Sequence, residues 1–166
     1  MTFPRLLATW FGVGLLRPAP GTWGSAVAVA LGLLLHGIGH FPLLLVATLI
    51  ITPLGFWATA KTVEGQDEKD PSEIVIDEVA GQWIALLFPS AGFWWMGLDS
   101  WNFPWPGWVA AFLFFRLFDI WKPGPVGYAD RKHTAFGTMA DDLWAGLFAG
   151  IATMIAAGLA HGVMGA

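Results

Sequence analysis

Two pairs of adjacent acids carry the clearest chemical signal in this chain: Asp77–Glu78 in "DPSEIVIDEVAGQW" and Asp141–Asp142 in "GTMADDLWAG". One carboxylate at a helix mouth complements the helix dipole and needs no chemistry. A second, about 100° further around the helix, must face lipid, headgroup or a polar partner. Two such doublets point to a shared cation. Hard oxygen donors suit Mg²⁺, which keeps several waters and binds one or two carboxylates together with phosphate oxygens.

Other residues fit beside them. In "FRLFDIWKPGP", Arg116, Asp119 and Lys122 are three apart and share one helix face, as a structural ion pair or as part of a site. In "PGTWGS", Gly21 and Gly24 permit close backbone approach, and Thr22 or Ser25 can cap a helix whose free N–H groups would take an anion. Asp70 is placed to cap a helix with Pro71 at its first position and Glu73 completing a reciprocal cap, Asp77 following one turn later on the same face. Thr138 is placed to cap a final helix with Asp141 and Asp142 in its first turn.

The elements that must position these groups are apolar. The 166 residues suffice for one domain, and 12% charged residues is about half the usual share of a soluble one. No Asp, Glu, Lys or Arg occurs from Pro18 to Ala60 or from Leu143 to the end, and only Asp99 from Val79 to Phe115. The charges collect in the N-terminal arm, at 61–78 and at 116–142. A crossing helix needs about 20 apolar residues. The first window suits two, divided at "HGIGHFP"; the second divides at "GLDSWNFPWPG" into helices near 76–96 and 106–121; the last runs from about 140 to 161. The expected architecture is an all-α, polytopic membrane bundle of about four to five apolar helices, the first (24–36) and the fourth short enough to be partly inserted or tilted, with a polar site at one face.

If all five cross, all eight basic residues fall on one side, which the positive-inside rule makes cytoplasmic. Every carboxylate except Asp99 joins them. Residues 1–20 read as a retained, interfacial arm rather than a cleaved signal, because Arg17 follows the apolar run and no A-x-A site does. Cysteine is absent, which excludes disulfides and thiolate metal sites. His36 and His40 fall in the outer turn, away from the acids; His133 lies in the charged loop, within reach of a headgroup. Nothing resembles the basic, aromatic-interleaved surface that nucleic acid requires.

Three blocks, "FGVGLLRPAPGTWGS" (11–25), "DPSEIVIDEVAGQW" (70–83) and "FRLFDIWKPGPVGYAD" with "FGTMADDLWAGLFAG" (115–150), resemble the phosphatidylglycerophosphatase A family in the family's order. The loop before Gly137 lacks a further glycine that the family leads one to expect. The resemblance implies a Mg²⁺-dependent, multi-pass phosphatase of the bacterial inner membrane. Its active site would face the cytoplasm and cleave the terminal phosphate of phosphatidylglycerophosphate to leave phosphatidylglycerol. The matching motif residues are Gly21, Thr22, Gly24, Ser25, Asp77, Glu78, Arg116, Asp119, Lys122, Asp141 and Asp142. On this reading Asp77, Glu78, Asp141 and Asp142 supply most ligands for one or two Mg²⁺ ions, Asp119 is a further ligand or the acid/base, and Arg116, Lys122 and the Gly21–Ser25 backbone bind phosphate; attack by water and an aspartyl-phosphate route both stay open. The rival is a small ion-coupled transporter with a carboxylate cation site, which expects ionisable groups near the midplane rather than at one face.

Overall fold

The computed structural model describes residues 1–67, 71–132 and 134–164, which are helical or in turns with no strand among them. In chain order these form α1 (Phe3–Ala8), a 3₁₀ turn (Val13–Leu15), α2 (Pro20–Thr62), α3 (Ile76–Trp95), α4 (Trp105–Trp121), α5 (Pro125–Asp130) and α6 (Ala135–Met164).

The first apolar window divides where glycine and proline predict. Within α2 the backbone leaves helical geometry at Gly39 (φ −146°, ψ 21°) and His40 (φ 55°, ψ −157°), just before Pro42. Gly24, in the first arm, packs against Val75; Gly55, in the second, packs against Met139 and Ile76. Both arms therefore have one end at the start of α3, and the chain reverses between them. The turn it makes meets the α3–α4 turn: Gly37 abuts the Trp101 ring, and Phe41 stacks on Trp94 with centroids 5.7 Å apart.

Helices α3 and α6 touch backbone to backbone. A Cβ on Gly81 would collide with the Asp142 carbonyl, and one on Gly146 with the Gly81 carbonyl. Phe115, fully buried, brings α4 onto the same seam beside Gly81. The core around it is small and aliphatic: Val79, Ala80, Ala85, Leu86, Ala145 and Ala149.

Among the described residues two helices, α2 and residues 135–162 of α6, are long and apolar enough to cross a membrane. Only 28% of each hydrophobic window is buried inside the molecule, the reverse of a soluble protein's core helix. The outward faces carry large apolar side chains such as Leu49, Ile50, Leu113, Ile120 and Ile155.

Three sequence expectations are corrected. The capping reading at 70–73 fails, because α3 begins at Ile76 and Pro71–Val75 is a turn. Glu73 instead pairs with Arg5 at 2.7 Å, and Asp70, like His133, lies outside the described residues. The final helix starts at Ala135, five residues early. Thr134 caps it, accepting the Gly137 N–H at 3.0 Å, while Thr138 sits inside and donates to the Thr134 carbonyl at 3.1 Å. Asp141 and Asp142 thus fall in its second turn. Finally, neither Thr22 nor Ser25 caps α2, which opens at Pro20 after Ala19; a proline at the first helical position has no N–H to satisfy. Helix α5 was not foreseen.

Candidate active site

The charged groups gather at the end of the bundle where α2, α3 and α6 begin and α4 ends, around a cavity of about 330 Å³. Asp77 and Glu78 enter from the first turn of α3, Asp142 from the second turn of α6. Carboxylate oxygens of these three lie within 4.8 Å of one another. The two doublets use the same local device. Asp77 Oδ1 accepts the N–H of Glu78 at 2.9 Å, and Asp141 Oδ1 accepts that of Asp142 at 3.0 Å. Each bond pins the first carboxylate of its doublet against its own helix.

Asp141 does not complete the group as a fourth member. Its Oδ2 takes a hydrogen bond from Lys122 Nζ at 3.2 Å, and Lys122 also donates to Asp130. Lys122 terminates α4 in the left-handed conformation (φ 52°, ψ 54°), which turns the chain into the Pro123–Gly124 bend and sends its side chain back over the cavity. A non-glycine residue held there costs about 1–2 kcal/mol, a sign of an imposed geometry. Burial works against the Lys122 charge, but the Asp130 and Asp141 carboxylates outweigh it and hold the ammonium above the ordinary lysine range. Asp130 escaped the sequence reading although it closes the block "KPGPVGYAD"; its link to Lys122 depends on the unforeseen α5.

Arg116 occupies the other side. Its Nη1 binds Asp119 Oδ2 at 2.6 Å and approaches Ser25 Oγ at 3.4 Å. Asp119 also faces the Asp142 carboxyl. The start of α2 lies against this pair, for a Cβ on Gly21 would strike Glu78 Oε1 and sit 3.3 Å from Arg116 Nη1. Gly21 and Thr22 line the cavity and, as the second and third helical residues, have N–H groups with no carbonyl to meet within the helix. Gly24 and Ser25 do not line it. Gly24 is a packing contact to Val75, and Ser25, fully buried, donates to the Gly21 carbonyl at 2.8 Å and braces Arg116. Thr138 lines the cavity instead of capping a helix.

Among the described residues, five carboxylates line the cavity against two cationic side chains. Asp77, Asp141 and Asp142 are each no more than 6% exposed. Buried like charges at such distances repel strongly unless a counter-charge joins them. Glu78 Oε2 and Asp142 Oδ1 are buried with no hydrogen-bond partner among the described residues, a costly state unless a ligand completes it. An all-oxygen donor set with two unclaimed donors fits a hard divalent cation. Chemically, the arrangement combines an acidic cation pocket with a guanidinium, an ammonium and a helix N-terminus turned toward the same space.

A family model and two curated relatives point to one family. A family model described as phosphatidylglycerophosphatase A matches residues 6–157. The phosphatidylglycerophosphatase A of Haemophilus influenzae is 38% identical over 147 residues, covering 87% of this chain and 83% of its own length. That of Escherichia coli is 35% identical over 145 residues, covering 86% and 77%. A Bacteroides thetaiotaomicron protein named "Putative phosphatidylinositol-3-phosphatase" is 35% identical over 158 residues, covering 92% of both. No solved structure matches significantly.

Proposed function

Since the chain belongs to the phosphatidylglycerophosphatase A family, we propose that it hydrolyses the terminal phosphomonoester of phosphatidylglycerophosphate, giving phosphatidylglycerol and inorganic phosphate. The reaction takes place at the cytoplasmic face of a bacterial inner membrane, in a bundle of about five apolar helical segments. The observation that carries this reading is the convergence of Asp77, Glu78 and Asp142 in the cavity that Arg116 and Lys122 also line. A cation pocket beside two fixed positive charges suits a phosphate dianion. Its position at one end of the bundle supports a headgroup enzyme over an ion carrier, which needs its charges at mid-depth.

Asp77, Glu78 and Asp142 would hold Mg²⁺. Bound there, Mg²⁺ supplies Lewis-acid charge neutralisation for the phosphoryl group and eases deprotonation of the attacking water. The protein's own groups do the rest. The free N–H groups of Gly21 and Thr22 and the Arg116 guanidinium receive phosphate oxygens, and Asp119 fixes the guanidinium's orientation. Lys122, held charged by Asp130 and Asp141, acts as an electrostatic clamp rather than a proton donor. Water attacks phosphorus in line and the bond from phosphorus to the glycerol oxygen breaks. The protons end on inorganic phosphate and on the new hydroxyl, with Asp119 as the relay.

The test is phosphate release from phosphatidylglycerophosphate by the purified protein in detergent, with Mg²⁺ and then with EDTA. Turnover that needs Mg²⁺ is expected; turnover indifferent to chelation would remove the metal role. Phosphatidylinositol 3-phosphate, suggested by the Bacteroides relative's name, serves as the competing substrate, and a higher kcat/KM on it would reassign the headgroup.

A further inference from the structure

We infer that the N-terminal arm, residues 3–16, is embedded in the lipid leaflet below the level of the acids, fixing the height at which the bilayer surface meets the cavity. The purpose rests on the lipid substrate proposed above; the placement rests on the structure. Three consecutive residues, Trp10, Phe11 and Gly12, have left-handed backbones, with φ of 47°, 56° and 92°. For two bulky aromatics this conformation is strained, because it crowds Cβ against the following carbonyl oxygen. The bend is held by the Phe11 N–H bonding the Leu6 carbonyl at 2.8 Å and the Gly14 N–H bonding the Thr9 carbonyl at 3.0 Å. It sends Trp10 inward, edge-on to Trp83 with centroids 6.1 Å apart. Phe11 is thrown outward, 64% exposed, followed by half-exposed Leu15 and Leu16. Water would oppose that outcome; lipid would favour it.

The helices give the depth. Trp83 lies five residues past Glu78 along α3, about 7.5 Å deeper at 1.5 Å per residue. At the arm's other end Phe3, 65% exposed, rests on Trp57 with centroids 6.1 Å apart. Trp57 is five residues before the end of α2, again about 7.5 Å below it. Both contacts fall within the roughly 5–10 Å to which interfacial helices sink. The Phe3–Trp57 contact also joins the arm to the exposed apolar strip of Val46, Leu49, Ile50 and Leu54, so one surface serves one solvent. The neighbouring charges stay above: Arg5 is tied to Glu73, and Arg17 is exposed just before the cavity wall begins at Ala19.

Because the chain has no cysteine, single variants Phe11→Cys, Leu15→Cys and Glu64→Cys can each carry one nitroxide label in the full-length protein, reconstituted into phospholipid nanodiscs. Power-saturation EPR then compares collision with oxygen, which concentrates in lipid, and with a water-soluble nickel chelate. Labels at 11 and 15 should show an oxygen-to-nickel ratio several-fold above that at 64, which marks the aqueous loop. Ratios equal to that at 64, or labels shielded from both reagents as in a protein contact, would overturn the placement. Absence of phosphate release by the wild type would strike the catalytic reading and leave these ratios unchanged.

Discussion

Gly21→Ala is the sharpest probe of the site, because it adds one methyl group and removes no charge. The new Cβ would point into Glu78 Oε1 and lie 3.3 Å from Arg116 Nη1. The obstructing atom is the tip of a flexible side chain, so the fold survives, but the Glu78 carboxylate must retreat by roughly 1 Å to restore van der Waals contact. A misplacement of about 1 Å at a reacting centre costs on the order of 10²-fold in rate, or about 2.7 kcal/mol. In the proposed cation site Glu78 is one of three oxygen donors, so part of the loss should appear as weaker Mg²⁺ binding: the Mg²⁺ concentration for half-maximal phosphate release should rise about 10-fold or more. The assay is phosphate release against Mg²⁺ concentration, with thermal unfolding followed in parallel. Gly24→Ala is the control. Its Cβ meets the Val75 Cβ at 2.9 Å, away from the cavity, so it should lower the melting temperature and leave the Mg²⁺ midpoint alone. A Gly21→Ala enzyme with the wild-type midpoint and kcat would refute the placement of Glu78 in the cation pocket.

Asp77→Asn and Asp142→Asn should each reduce phosphate release by roughly 10²-fold or more. They should also abolish the Mg²⁺-dependent thermal stabilisation expected of the wild type, about 2.7 kcal/mol at 100 times Kd; calorimetry with Mg²⁺ alone checks this without turnover. Lys122→Met removes the clamp and strands Asp130 and Asp141, so KM for the lipid should rise about 10-fold, equivalent to about 1.4 kcal/mol. Thr134→Ala deletes the α6 cap and should lower stability by about 1 kcal/mol with kcat unchanged, read by denaturant unfolding in detergent.

Much of this arrangement is written locally. The α2 break follows from Gly39 and Pro42, and α3 and α4 start within one residue of expectation because apolar runs bounded by glycine and proline leave little choice. Asp77, Glu78 and Asp142 were legible as acids that no single helix end requires. What escaped depends on contacts distant in sequence. The "DPSE" stretch has the local signature of a helix start, yet Arg5, 68 residues earlier, claims Glu73. Asp141 looks like its neighbour until the left-handed turn at Lys122 sends an ammonium across to it. Gly24 and Ser25 read as part of an anion cradle, but α2 opens one turn earlier, at Pro20, so their N–H groups belong to the helix ladder.

The bare contact between Gly81 and Asp142, and between Gly146 and Gly81, has a consequence for how the pocket keeps its dimensions. Asp77 and Glu78 ride on one helix and Asp142 on the other, and main chain meets main chain where the two cross. The gap between their oxygens is therefore gauged by main-chain thickness, the least compressible spacer a protein has. Residues on the outward faces can drift in size without changing that gap. A single methyl at either glycine, though it carries no charge and touches no substrate, would pry the jaws apart.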